Sequence, residues 1–314
     1  MNATKILLQR VRNAFMPPAH RAVESLQPSA LASSANACGD LDLAPRIAAI
    51  RNIVSGRIVF TTSFGIEDQA ITHAICSQAL DIDVVTLDTG RLFPQTYELW
   101  ARTERQYGRR IRALYPDCVA LEALVGRQGI NGFYQSVETR HACCAVRKVE
   151  PLRRALAGAT AWITGLRAGQ SDDRADIAFA TFDPRHQLIK VNPLFGWTRE
   201  RVPTFIREHG VAYSALHDHG FQSIGCAPCT RAVAPGEPER SGRRWWEGEQ
   251  KKESGLNHHR SYAPCAIVPR GSHAMNLAAP ISASVTRAGG AALAEVLTKA
   301  AFYCAHEGAW ALVG

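Results

Sequence analysis

The sequence predicts an α/β fold built on an open, mostly parallel sheet flanked by helices. Short β-branched runs alternate with stretches of helical period, and polar, glycine-containing loops halt the runs. The composition, 46% hydrophobic and 20% charged over 314 residues, is that of an ordinary globular chain and excludes disordered or collagen-like states for its bulk.

The first 23 residues carry Lys5, Arg10, Arg12 and Arg21 and no acid. An organellar transit peptide has that character, and a bacterial N-terminal arm is the simpler reading. Residues 26–40 are rich in Ser, Ala and Pro, so residues 1–44 read as arm and linker. The run Arg57–Thr62 is the first predicted strand; Ser63-Phe64-Gly65 interrupts it. Ile66, Ala70, Ile71, Ala74 and Ile75 then repeat at helical spacing. Val84–Leu87 is a second strand, stopped by Asp88-Thr89-Gly90 and followed by a helix through Tyr97 and Trp100. Ala161–Gly165 and Leu188–Val191 add further strands. In such sheets ligands bind beyond the carboxyl ends of the strands, where these loops lie. The main domain is assigned to 45–257. Residues 258–314 form an extension of unassigned origin with a short helix expected over about 289–305. Its Val268–Met275 stretch looks like the thrombin-site junction of an expression cassette, interrupted by Ala274.

The chain carries 36 Lys+Arg against 28 Asp+Glu, a formal charge of +8, which suggests an anionic partner. No apolar run reaches the ~18 residues that would span a bilayer. Residues 140–174 hold seven basic residues against three acids, half of the chain's excess. Lys148, one turn from Cys144, is placed to hold an anion. A second group, Arg240, Arg243 and Arg244, precedes Trp245-Trp246 but is interleaved with Glu237, Glu239, Glu247 and Glu249. That excludes a broad nucleic-acid footprint.

Ser63 and Gly65 form a strand-to-helix turn where glycine lets backbone approach a ligand and free N–H groups favour an anion. Many α/β turns have this composition and bind nothing. Of nine cysteines, four fall in two tight pairs, Cys143-Cys144 and Cys226/Cys229. Paired cysteines without a secretory signal point to a metal or redox site in a reducing compartment, here the cytoplasm. Four thiolates suit tetrahedral zinc or an iron–sulfur cluster. A vicinal pair disfavours ordinary structural zinc, and two buried thiols beside a redox C-x-x-C are the bland alternative.

The motifs at 63–68, 87–92, 143–152, 165–167 with Gln170-Ser171 and Arg174, 191–194, 223–231, 239–247 and 251–257 resemble assimilatory adenosine 5′-phosphosulfate reductases of the iron–sulfur type, within the wider phosphosulfate reductase family. The resemblance implies a fold of the adenine-nucleotide hydrolase (PP-loop) type. It implies a 4Fe-4S cluster on Cys143, Cys144, Cys226 and Cys229. It also implies thioredoxin-dependent reduction of adenosine 5′-phosphosulfate to sulfite and AMP, within sulfate assimilation and cysteine biosynthesis. It places the adenosine end at Ser63 and Leu87, the arginine-rich loop at Arg167 and Arg174, and further cations at Lys148, Arg240 and Arg243. Nucleic acid and membrane are not expected partners, and a homo-oligomer is compatible with the sequence.

The match departs at the nucleophile. The family reads Glu-Cys-Gly-Leu-His, and this chain reads Glu253-Ser254-Gly255-Leu256-Asn257. Ser254 therefore holds the catalytic position with a hydroxyl that stays protonated near neutral pH. Three readings follow: a variant whose nucleophile was replaced, a natural copy that binds nucleotide and cluster without turnover, or rescue by Cys265. Arg244 stands where the family has Trp, and Ala168-Gly169 replaces a more basic pair. A zinc-stabilised nucleic-acid binder is the competing reading from another class.

Overall fold

A computed structural model describes residues 42–171, 174, 175 and 177–247. The chain divides into two units, Met1–Ser261 and Tyr262–Gly314, and every described residue lies in the first. The expected C-terminal helix and Ser254, Asn257 and Cys265 lie outside the described residues.

Helix α1 (Leu43–Ile53) leads into strand β1 (Ile58–Thr62), helix α2 (Ile66–Cys76), strand β2 (Asp83–Leu87) and helix α3 (Pro94–Tyr107). Strand β3 (Arg112–Leu114) and helix α4 (Cys118–Gln128) follow. Helix α5 (Val137–Cys144) runs through a π-helical turn, Ala145–Val149, into helix α6 (Glu150–Leu156). Strands β4 (Ala161–Ile163), β5 (Ala180–Asp183) and β6 (Leu188–Val191) and helix α7 (Arg201–Glu208) complete the layers.

The six strands lie in the order β3-β2-β1-β4-β6-β5. All pairings are parallel except that of β5 with β6. The expected open, mostly parallel sheet is therefore the observed one. Strand order reverses about β1: β2 lies on one side and β4 on the other. The loops after β1 and β4 thus splay apart at the carboxyl edge, which makes the crevice where doubly wound sheets bind ligands.

Alternation along β1 divides the core. Ile58 and Phe60 face one layer with Leu43, Ile47, Ile71 and Ile75, while Val59 faces the other with Val85, Leu152, Leu156 and Trp162. Burying each such side chain contributes about 1.5–3 kcal/mol relative to exposure. Two caps fix helices near the site. Asp117 accepts the Ala120 N–H at the start of α4, and Ser136 with Thr139 forms a capping box at the start of α5.

Candidate functional site

A cleft of about 210 Å³ opens at the carboxyl ends of β1, β2 and β4. Of the predicted residues, Ser63, Gly65, Leu87, Lys148, Arg174, Arg240 and Arg243 line it. Segments more than 150 residues apart in the sequence are thereby brought to one place. Arg167 is the exception: it lies behind the wall, 2% exposed, held by Glu67 and Glu239.

Gly65 has an ordinary φ of −65°, and it is Phe64 that takes the left-handed φ of 59°. For a bulky residue that costs on the order of 1–3 kcal/mol. It is held by a hydrogen bond from its N–H to the Thr62 hydroxyl (3.0 Å) and by stacking on Trp100 (5.6 Å between centroids). The first turn of α2 already carries Glu67 and Asp68, so its N–H dipoles are partly answered from within the helix. Asp68 accepts both the Ser63 N–H (2.6 Å) and the Ser63 hydroxyl (2.7 Å). Burial pushes its carboxyl up to about 6, with the Ser63 hydrogen bonds opposing and Glu67 adding to the rise. Gly165 lies against the same carboxylate: a Cβ there would meet Asp68 Oδ1.

Motif reading overlooked several neighbours. Trp162 on β4 forms part of the wall, donates from Nε1 to Thr61 Oγ1 (2.8 Å) and receives Lys190 on its ring face at 4.7 Å. His217 also lines the cleft, and its Nε2 is buried with no hydrogen-bond partner among the described residues. Burial holds its ring below the usual histidine value, which favours a neutral imidazole at pH 7. The signal for both residues was weak, since Trp162 reads as one more apolar position of β4 and His217 as a lone histidine.

Lys148, Arg243 and Arg244 line a second, smaller cavity as well as the cleft. Cys143, Cys144, Cys226 and Cys229 all line that cavity, with Arg91, Arg140 and Arg147 around them. Cys143 and Cys144 end helix α5, a π-helical turn begins at Ala145 directly after them, and both side chains line the cavity. From the other side, a short 3₁₀ turn (Ala227–Cys229) presents the second pair, anchored by the Ala227 N–H to the Arg91 carbonyl at 2.8 Å.

The surroundings shift the thiols of Cys226, Cys229 and Cys143. Burial would raise Cys226, but Lys148 and the Thr89 hydroxyl at 3.2 Å outweigh it and hold the thiol below its usual value. Burial pushes Cys229 up to about 11, and the neighbouring Cys226 adds to the rise. Burial, then Cys144, raises Cys143. Among the described residues, no group of three or more His, Cys, Asp or Glu stands in a metal-holding arrangement, and all four cysteines are free thiols. Four soft donors on one cavity nevertheless form the right donor set for a thiolate-bound cluster, and the surrounding cations suit its negative charge.

The segment bearing Arg240, Arg243 and Arg244 closes both cavities. It is tied to the cysteine loop by a bridge between Thr230 and Arg243 and by the Arg244 N–H to the Cys229 carbonyl at 3.0 Å. Its end packs Trp246 against Tyr134 (4.5 Å between centroids). Arg244 is buried at a left-handed φ of 47°, in the position where a Trp was expected. Among the described residues no helix is long and apolar enough to cross a membrane.

Comparison with known proteins places this geometry. Residues 57–232 match the phosphoadenosine phosphosulfate reductase domain. An adenosine 5′-phosphosulfate reductase of Rhizobium meliloti is 53% identical over 234 residues, covering 74% of this chain and 87% of the relative. One from Agrobacterium fabrum is 49% identical over 243 residues, covering 77% and 93%. The crystal structure of phosphoadenylyl-sulfate reductase from Candida auris, a phosphate complex, is similar with a TM-score of 0.55 at 25% identity, covering 64% of this chain and 96% of that one.

Proposed function

Because the chain belongs to the phosphoadenosine phosphosulfate reductase family, we propose that it serves sulfate assimilation as an adenosine 5′-phosphosulfate reductase, an oxidoreductase whose products are sulfite and AMP. The observation that carries this reading is the shared wall: Lys148, Arg243 and Arg244 line both the cleft and the four-cysteine cavity. A phosphosulfate held there would lie against fixed cations, which lower the cost of bringing an anionic thiolate to the sulfate sulfur.

Ser63 and Leu87 would hold the adenosine end, and Arg174, Lys148, Arg240 and Arg243 the phosphosulfate. In the family's reaction a cysteine thiolate, at the position this chain fills with Ser254, attacks sulfur, an S–S bond forms, the S–O bond to phosphate breaks, and AMP departs. The thioredoxin dithiol then supplies two electrons, releasing sulfite and restoring the thiol while itself becoming a disulfide. Cys143, Cys144, Cys226 and Cys229 would hold a 4Fe-4S cluster. Held there, the cluster would supply a polarisable anionic group to the cavity that Lys148 also lines.

Ser254 at the nucleophile position favours a second reading, a nucleotide-binding iron–sulfur protein without turnover. Sulfite release from adenosine 5′-phosphosulfate with reduced thioredoxin separates the two. Steady release supports the enzyme, and tight nucleotide binding with no sulfite supports the silent form. A colourless, zinc-loaded protein with salt-sensitive affinity for nucleic acid would displace both.

A further inference from the structure

We propose that Arg167 is a positioning residue, which staples the Arg240–Arg243 segment over the cleft, and not a ligand of the substrate. The inference rests on the reading of the cleft given above. Arg167 Nε donates to Glu67 Oε1 at 2.9 Å, and Nη2 reaches Glu67 at 2.8 Å. The same Nη2 donates to both oxygens of Glu239, at 2.9 and 2.8 Å. Gln170 adds Nε2 to Glu67 Oε1 (3.0 Å) and offers its own Oε1 to Arg174. One buried guanidinium thus joins the start of α2, the loop after β4 and the segment beginning at Glu239.

Two features argue for positioning. Glu67 and Glu239 both line a cleft read here as taking a polyanion, and uncovered they would repel it. Arg167 answers both carboxylates while standing outside the lining itself. Arg240 is the next residue after Glu239, so fixing that carboxylate fixes where Arg240 enters the cleft.

The far end of the segment is held the same way. Arg140, 1% exposed, donates from Nε to Glu247 Oε1 at 2.7 Å and from Nη2 to Oε2 at 3.0 Å. Between the two staples the backbone is tied by Arg243 N–H to Arg240 O (2.9 Å) and Arg231 N–H to Gly242 O (3.0 Å). The cations of the segment are therefore set by two buried arginine–glutamate pairs drawn from different parts of the chain.

The test uses the full chain with Arg167→Gln, Glu239→Gln, Arg167→Lys and the Arg167→Gln/Glu239→Gln double variant. Calorimetric binding is measured for adenosine 5′-phosphosulfate, AMP and adenosine, and hydrogen exchange is followed without ligand. Each single change to Gln should weaken adenosine 5′-phosphosulfate on the order of tenfold and leave adenosine unaffected, and the double variant should be no worse than either. Amides of 239–247 should exchange faster in both, with the sheet unchanged. Arg167→Lys and Glu239→Gln keep the test alive if Arg167→Gln fails to fold. Intact affinity in Glu239→Gln with loss in Arg167→Gln would mark Arg167 as a direct ligand and overturn the proposal. Unchanged exchange over 239–247 would overturn it as well. If the unaltered chain binds no phosphosulfate nucleotide, the functional reading falls, while exchange in the ligand-free protein still decides the staple.

Discussion

Ser63 gives both its backbone N–H and its hydroxyl to one oxygen of Asp68, at 2.6 and 2.7 Å, and so the loop leaving β1 is fixed by the helix it enters. The carboxylate doing this is buried, and burial moves its pKa from 3.8 to about 6. An acid whose folded pKa exceeds its unfolded value binds its proton more tightly in the native state. Stability therefore rises as pH falls from about 6 toward 3.8, and the cost of ionisation is complete above pH 6. A shift of this size corresponds to about 3 kcal/mol across the window. Urea unfolding of the chain and of Asp68→Asn at several pH values should show a stability difference that changes by up to that amount between pH 7 and 4. A difference independent of pH would contradict the assignment.

Gly225 faces Arg243 so closely that a Cβ would sit 2.5 Å from the guanidinium carbon. The obstructing atoms are the end of a long side chain, which can swing away. Gly225→Ala should cost under about 1 kcal/mol of stability yet remove Arg243 from the wall shared by the two cavities. Affinity for adenosine 5′-phosphosulfate should drop on the order of tenfold, as expected for loss of a charge-assisted contact. At Gly165 the obstruction is the buried, hydrogen-bonded Asp68 carboxylate, so Gly165→Ala should destabilise the fold more than Gly225→Ala. Parallel calorimetry and thermal melts check the ordering, and the reverse order would refute it.

How much of this was legible follows from where the information lies. Strands β1, β2, β4 and β6 announce themselves as β-branched runs, because their positions are buried and apolar. Strand β3 has three residues, Arg112-Ala113-Leu114, with an exposed first position, and β5 pairs at the sheet edge with only partial burial. Neither leaves a periodic trace. Motifs identified Ser63, Leu87, Lys148, Arg174, Arg240 and Arg243, which the fold gathers on one cleft. The partnership of Arg167 with Glu239 spans 72 residues, and nothing local marks either as the other's partner. Nothing in the composition of the first turn marks Phe64 as its left-handed residue, a conformation that stacking on Trp100 sustains.

The Thr89 hydroxyl lies 3.2 Å from Cys226 Sγ. Hydrogen bonds to cluster sulfurs raise a reduction potential. Protein purified without oxygen should be brown and contain about four irons per chain, as the expected 4Fe-4S cluster requires. Thr89→Val should keep the iron and lower the potential, whereas Cys226→Ser should lose iron and colour. Zinc in place of iron in the unaltered chain would remove the basis of both expectations.

The last prediction concerns the residue that stands where sulfur chemistry needs a thiol. Ser254 cannot form an S-sulfocysteine, and its motif supplies no base to ionise a hydroxyl. On the second, silent reading the chain as it stands, incubated with sulfur-labelled adenosine 5′-phosphosulfate, should acquire no label on any cysteine, and thioredoxin should release no sulfite; steady sulfite release would return it to the first reading. Label on Cys265 would instead establish rescue from eleven residues downstream. Ser254→Cys supplies the missing nucleophile without touching the cations of the cleft, so it should take up label and release it as sulfite when thioredoxin is added. Nucleotide binding should be the same in both proteins, because the groups assigned to it lie in residues 63–243. If Ser254→Cys binds nucleotide and still takes no label, the departure at Asn257, where the family has histidine, becomes the next substitution to reverse. If it binds none, the cleft itself and not the nucleophile has been misread.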